Sequence, residues 1–284
     1  MMQHIVYPTQ METQAFGILR VRTTTQEVLP IENANIKIFS PSQPITVIEE
    51  FTTDINGLTD NILLPTPPLD YSLEPSTVQP YSNYDIQISA PGYESVYIAD
   101  LEILPNSTAL QETTLTPSIE PSESIYAIPP HTLYAEYPPK IPEEEIKPID
   151  ESGEIVLSRV VIPEFVIVHD VPPTRAANNY YVRFQDYIKN VASSEIYATW
   201  PESSIYANVL AILSFTLNRV YTEWYRSQGY NFTITSSTAF DHQWINGRNI
   251  YENISFIVDS VFVNYLSIPN VRQPILTQYC DGNR

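Results

Sequence analysis

A single cysteine, Cys280, stands in 284 residues, which excludes a disulfide framework and any cysteine-based zinc finger. Lysine is scarce at four, and 14 Lys and Arg against 33 Asp and Glu leave a net charge of −19. A chain so acidic argues against a nucleic-acid partner, because phosphate neutralisation needs clustered Lys and Arg. Glycine is low at 7 while proline is high at 25. The longest strongly apolar run, residues 207–217, is too short to cross a bilayer, so no membrane span is expected. The start, Met1-Met2-Gln3-His4-Ile5-Val6-Tyr7-Pro8, has no basic region and no long apolar core. A secretory signal peptide is therefore not expected, and the chain reads as one made in soluble, intracellular form. What is plentiful points to folding: 43% hydrophobic residues and 20 tyrosines are too apolar for a disordered chain. The length suggests two domains, at roughly 100–200 residues each.

The acid is unevenly spread. Residues 1–117 carry a net −11, residues 118–150 a net −5 and residues 151–284 a net −3. The middle segment holds seven prolines and the run Glu143-Glu144-Glu145, so neither helix nor central strand is expected there. It reads as an extended linker wrapped on a neighbour, because Tyr126, Leu133, Tyr134 and Tyr137 are too apolar for a free tether. The same segment also reads as a place meant to be cut, with Ser118, Ile125 and Tyr126 in its first part.

Residues 1–117 predict an all-β sandwich. Gly17-Ile18-Leu19-Arg20-Val21-Arg22 alternates at period two, as do Ala34-Asn35-Ile36-Lys37-Ile38 and Tyr84-Asp85-Ile86-Gln87-Ile88, with Val96-Tyr97-Ile98 as a further strand. Asp54-Ile55-Asn56-Gly57 is turn chemistry. His4 is given no role. Residues 151–284 predict an α+β domain. Strands are expected at 159–163 and 165–168, a helix at 186–196, and a second helix opening at Trp200-Pro201-Glu202 and closing near Gly229. That helix carries Ile205, Val209, Leu213, Leu217, Val220 and Trp224 on one stripe, with Leu210 and Ile212 off it, so it is expected to be buried on more than one side. A strand at 230–235 and a third helix from Ile250 to Tyr265 follow.

Several residues are candidates for chemistry. Glu195 ends a helix among Val191, Ile196 and Trp200; from its spacing alone it reads as a surface carboxylate. His169-Asp170 and Asp241-His242 suggest a metal or a triad, but two isolated His–Asp neighbours read better as loop hydrogen-bonders, and no metal or cofactor is expected. Cys280 has no visible histidine partner and reads as structural. Tyr197, Tyr206, Tyr225, Tyr279 and Trp244 fit either a sugar-stacking groove or a core.

The order Gly17 to Val21, Pro30-Ile31-Glu32-Asn33-Ala34, Thr53 to Gly57 and Ala90-Pro91-Gly92-Tyr93-Glu94 resembles carboxypeptidase-regulatory-like, prealbumin-like sandwiches. In the last segment, Tyr187-Ile188-Lys189-Asn190-Val191-Ala192-Ser193-Ser194-Glu195-Ile196 followed by Trp200-Pro201 resembles the SpoIID/LytB-like domain of lytic transglycosylases. Gln243-Trp244-Ile245-Asn246-Gly247 and Gln278-Tyr279-Cys280-Asp281-Gly282 resemble later segments of the same domain. Together with residues 137–142 and Thr222-Glu223-Trp224-Tyr225-Arg226, the pattern resembles the SleC branch, the clostridial spore cortex-lytic enzymes.

The resemblance implies a germination enzyme stored as a zymogen in the spore, made in the mother cell and deposited around the forespore. Its substrate would be spore cortex peptidoglycan, a muramic-lactam glycan. A Csp-type subtilisin-like protease would remove residues 1–117 through the 118–150 linker and free the 151–284 catalytic domain. It implies Glu195 as the catalytic acid and base. Tyr197, Trp200, Tyr206, Asn208, Asp241, Gln243 and Trp244 become candidate substrate contacts. It also implies a C-terminal peptidoglycan-binding region, which this sequence does not include. One carboxyl group suffices for such chemistry, because the 6-hydroxyl of the muramic residue attacks its own anomeric carbon and an intramolecular nucleophile replaces a second protein group. The acid needs a raised pKa, which burial among apolar groups supplies. Tyr206, Asn208 and Leu213 stand where the wider family carries Lys, Gln and Arg, and Tyr197 replaces its proline. Those departures motivate the rival expectation of an inactive peptidoglycan-binding or structural protein.

Overall fold

The computed structural model describes residues 15–74, 78–131, 133 and 159–277. The Glu143 run, Tyr134, Tyr137, Cys280 and the 278–282 segment lie outside the described residues. The described part is rich in β-strands, with a sandwich in its first half.

The sandwich has two sheets. One runs β12-β7-β1-β4, from β1 (Ala15–Thr24), β4 (Ile62–Thr66), β7 (Thr108–Thr114) and β12 (Ile250–Tyr251). The other runs β3-β2-β5-β6-β8, from β2 (Asn35–Ser40), β3 (Gln43–Thr52), β5 (Ser82–Ser89), β6 (Ser95–Ile103) and β8 (Glu123–Ala127). The expected alternation holds: Leu19, Val21, Ile36, Ile38, Ile86 and Ile88 are fully buried between more exposed neighbours. The turn at 54–57 closes as an Asx turn, with Asp54 Oδ1 accepting the N–H groups of Asn56 and Leu58 at 2.9 Å. Gly17 is needed where β1 meets the end of β6, since a Cβ there would lie 2.3 Å from the Leu104 carbonyl oxygen. Gly17→Ala is expected to destabilise the fold by about 2–3 kcal/mol, read from the urea midpoint.

Two findings concern the segment after residue 117. Residues 123–127 form β8, an edge strand parallel to β6, so the extended passage wrapped on a neighbour takes the form of sheet pairing here. Prolines confine strands to sheet edges, and the strand lies between Pro121 and Pro129. The second is β12, which belongs by sequence to the C-terminal half yet pairs with β7 of the sandwich.

The C-terminal half carries β9 (Phe165–His169), β10 (Asn179–Arg183) and β11 (Ile234–Thr235) in a three-stranded sheet of order β10-β9-β11. Its helices are α1 (Phe184–Glu195), α2 (Glu202–Tyr221), α3 (Trp224–Ser227) and α4 (Glu252–Val261). Residues 159–163 are not a strand. The long helix stops at Tyr221, because Glu223 turns to φ 47°, and Gly229 caps the short α3 instead. Ile250 belongs to β12 and Tyr265 lies beyond α4. Burial of α2 on more than one side holds: all residues from Ile212 to Arg219 are buried. Ser214 and Thr216 satisfy their hydroxyls on carbonyls four residues back, so the buried polar side chains cost little.

The two halves share a buried polar junction. Glu102 sits at the end of β6, where Asp100 at φ 59° breaks the alternation and three consecutive residues are buried. Its Oε2 pairs with Arg248 Nη2 at 3.2 Å, and its Oε1 takes the Tyr251 hydroxyl at 2.7 Å and lies 3.1 Å from His131 Nδ1. Asn249 Nδ2 donates to the Glu102 carbonyl at 3.1 Å. Burial alone would push the Glu102 carboxyl up, but His131, Arg248 and the Tyr251 hydroxyl outweigh it and hold it at about 2. Burial pushes His131 down, and Glu102 pulls it back only in part, so Arg248 is the cation of the junction.

Candidate functional site

α1 is amphipathic, with Tyr187, Ile188, Val191 and Ala192 in the core, and packs against α2 and α4. Its last residue, Glu195, is half-buried. The backbone N–H of Gln243 donates to Glu195 Oε1 at 2.8 Å. One helical turn earlier, Asn190 and Ile245 exchange two bonds: Nδ2 to the Ile245 carbonyl at 2.7 Å, and the Ile245 N–H to Oδ1 at 2.9 Å. The two segments that carry the sequence resemblance, 187–196 and 243–247, are thus stitched together at Glu195. Tyr187 is fully buried beside them, its hydroxyl 3.4 Å from His242 Nδ1. Burial first, then the charges of Asp241 and Glu195, push the Tyr187 phenol well up, so it stays protonated.

The other candidates scatter. Asp241 is fully buried as an acceptor: Arg219 Nε donates at 2.8 Å, the Tyr225 hydroxyl at 2.6 Å, and the Thr235 N–H and hydroxyl at 2.9 and 2.7 Å. It ties α2 to β11 and faces no groove, which corrects its assignment as a sugar contact. Tyr197 is 4% exposed; its hydroxyl donates to the His131 carbonyl at 3.2 Å and its ring stands edge-on to the His131 ring. Trp200 Nε1 donates to the Ser72 carbonyl in the sandwich at 3.0 Å. Both residues bind the N-terminal half rather than open solvent, because the sandwich covers the chain just after Glu195. Asn208 Nδ2 is spent on Ser204 of its own helix, and Tyr206 is on the exposed side of α2. Leu213 is fully buried. Trp244 packs against Tyr180 with ring centroids 5.2 Å apart.

Just before β8, the Ser118 hydroxyl donates to the Glu120 carbonyl at 2.6 Å. Ile125 projects outward from β8, and Tyr126 lies over Gly247, where φ is 79° and a Cβ would meet the ring at 3.1 Å. Gly247 is therefore required both by its backbone and by its neighbour. His169 is held by Asn179 Oδ1 at 2.7 Å and the Arg175 carbonyl at 2.8 Å, and it stacks on Phe232. Among the described residues no group of three His, Cys, Asp or Glu is placed to hold a metal, and no helix is long and apolar enough to cross a membrane. The residues that sequence reasoning missed are Glu102, His131, Arg248 and Arg219. Glu102 interrupts the apolar run from Leu101 to Leu104, but Arg248 stands among Asn246, Gly247 and Asn249, and Arg219 follows Asn218, so no common local signal marks them.

No family model and no curated protein matches the chain. Among solved structures, the Bacillus anthracis TIE protein aligns at 14% identity over 36% of this chain and 17% of its own, with a TM-score of 0.26. Catechol 1,2-dioxygenase of Acinetobacter radioresistens aligns at 13% identity over 39% of this chain and 58% of its own, with a TM-score of 0.25. BcpA, the major pilin subunit of Bacillus cereus, aligns at 17% identity over 39% and 28%, with a TM-score of 0.21. Likenesses this slight assign neither a fold nor an activity.

Proposed function

We propose that the chain is a lytic transglycosylase of spore cortex peptidoglycan, with Glu195 as its acid and base and a SpoIID/LytB-like C-terminal half. The observation that carries the reading is the hydrogen bond from the Gln243 N–H to Glu195 Oε1, which joins the two resemblance segments at the one carboxyl group the reaction needs. Glu195 would protonate the glycosidic oxygen. The muramic 6-hydroxyl would then attack C1 as the leaving hydroxyl departs, and the carboxylate would take up the 6-hydroxyl proton. The bond from Gln243 holds the carboxyl in place through both proton transfers.

The processing part of the reading takes a modified form. Residues 1–117 supply Glu102 and β7, so they are a built-in wall of the C-terminal half. A cut between the halves by a Csp-type protease in the spore would leave the pieces held together by the Glu102–Arg248 pair and the β7–β12 pairing. Activation would then be a loosening at Tyr197 and Trp200, where the N-terminal half lies against the chain that follows Glu195.

Mass spectrometry of digests of purified cortex tests the activity. The wild type should release 1,6-anhydromuramic ends, and Glu195→Gln should release at least about 100-fold fewer with unchanged thermal melting. Reducing ends in place of anhydro ends, or equal product from Glu195→Gln, would overturn the reading. A second reading, a wall-binding protein without catalysis, is favoured by the burial of Leu213 where the wider family implies an arginine. Cortex that stays bound but intact would select it.

A further inference from the structure

A pocket of about 320 Å³ opens within the C-terminal half, between the chain that enters β9 and the turn that joins α2 to α3. Val161, Pro163, Phe165 and Val220 supply apolar walls, and Tyr225 and Phe232 close the floor. Val161 is 39% exposed and Phe165 44%, so the apolar wall reaches solvent. Three charged residues complete the lining. Arg219 is already committed, its Nε to Asp241 at 2.8 Å and its Nη2 to the Phe240 carbonyl at 3.2 Å. Glu223 and Arg226 are not: among the described residues neither side chain forms an ion pair, with each other or with any third group. Both keep accessible surface, Glu223 half-buried and Arg226 exposed.

The backbone adds a second observation. Glu223 stands at φ 47° and ψ 38°, in the left-handed region that glycine or asparagine enters cheaply and glutamate does not. Strain of this kind is retained where a side chain has a task. The turn it makes follows the end of α2 and sets Glu223 and Arg226, three residues apart, on one pocket. A carboxylate and a guanidinium on the same pocket disfavour a plain anion and a plain cation alike. They favour a molecule with both charges close together and an apolar body for the wall. An α-amino acid has that form. Glu223 would take its ammonium and Arg226 its carboxylate, the second as a two-pronged pair. The side chain would lie against Pro163 and Phe165. The volume, at the small end for ligand pockets, fits one small molecule. We infer that this pocket binds a free α-amino acid with a large apolar side chain. The inference uses no residue assigned to the proposed reaction and does not depend on it.

Titration of the full chain, followed by NMR of the ligand, tests it with four probes. Phenylalanine carries both charges, N-acetylphenylalanine lacks the cation, phenylalaninamide lacks the carboxylate, and glycine lacks the apolar body. Phenylalanine should bind at least about fivefold more tightly than either blocked form and at least about tenfold more tightly than glycine. Glu223→Gln should weaken phenylalanine by about fivefold and leave N-acetylphenylalanine no weaker than before. Arg226→Gln should do the same with phenylalaninamide as the indifferent probe. Both side chains reach solvent and both changes keep their length, so the variants should melt as the wild type does. Glu195→Gln should bind phenylalanine as the wild type does. No binding of phenylalanine, equal or tighter binding of a blocked form, equal binding of glycine, or undiminished affinity in both Glu223→Gln and Arg226→Gln would each overturn the inference.

Discussion

Deletion of residues 1–117 is expected to leave a protein with no cooperative thermal transition and none of the activity proposed above. The reason is the junction. The deletion removes Glu102, so the Arg248 guanidinium, 4% exposed, loses its carboxylate. Removing one partner of a buried ion pair costs about 3–5 kcal/mol. It also removes β7, leaving β12 with unpaired backbone groups, and Ser72, which accepts the Trp200 indole N–H. These losses together approach the whole stability of an ordinary domain, about 5–15 kcal/mol. By contrast, the same chain cut once between the halves should elute as a single species on gel filtration. A trimmed 118–284 protein that melts cooperatively and digests cortex would overturn this view and restore simple removal of a pro-region.

The second large effect is expected from Glu102→Ala, which should lower stability by about 3–5 kcal/mol, measured by urea unfolding at pH 7. The same junction sets the pH response. The Glu102 carboxyl is held at about 2, below its ordinary 4.5, so its contribution is complete above pH 4.5 and is lost as pH falls towards 2. Burial depresses His131 below its ordinary 6.5, so the unfolded chain takes up its proton first and stability begins to fall as pH drops through 6.5. Both groups act in one direction, and the wild type should weaken in two stages on acidification. In His131→Asn the upper stage should vanish and the lower one remain. A wild-type profile flat from pH 7 to pH 5 would show that the His131 environment does not drive the response.

Much of the first half was legible because its determinants are local. Alternation in Gly17 to Arg22 follows from the pleat, and the Asp54 turn forms within five residues. The helix ending at Glu195 and the burial of α2 on more than one side are likewise written in apolar spacing. The segment 187–196 also singled out Glu195, although only the fold brings the Gln243 N–H to its Oε1, 48 residues away in sequence. Among the sugar contacts that the resemblance implied, Asp241 has another place. Asp241 looked like a polar loop residue, yet it is buried as the acceptor for Arg219, and nothing in the sequence pairs residues 22 apart on different elements.

Composition, charge distribution and period were enough to determine a β-sandwich followed by a helix-bearing half, with a proline-rich passage between them. They could not determine how the halves meet. A two-residue strand such as β12 has no period to read, and a pair such as Tyr251 and Glu102, 149 residues apart, leaves no local trace. Only the tertiary structure brings the end of β6, His131 and Arg248 into one dry junction, because a buried charge is tolerated only where distant donors and acceptors converge on it. That convergence made the N-terminal half an integral wall of the molecule.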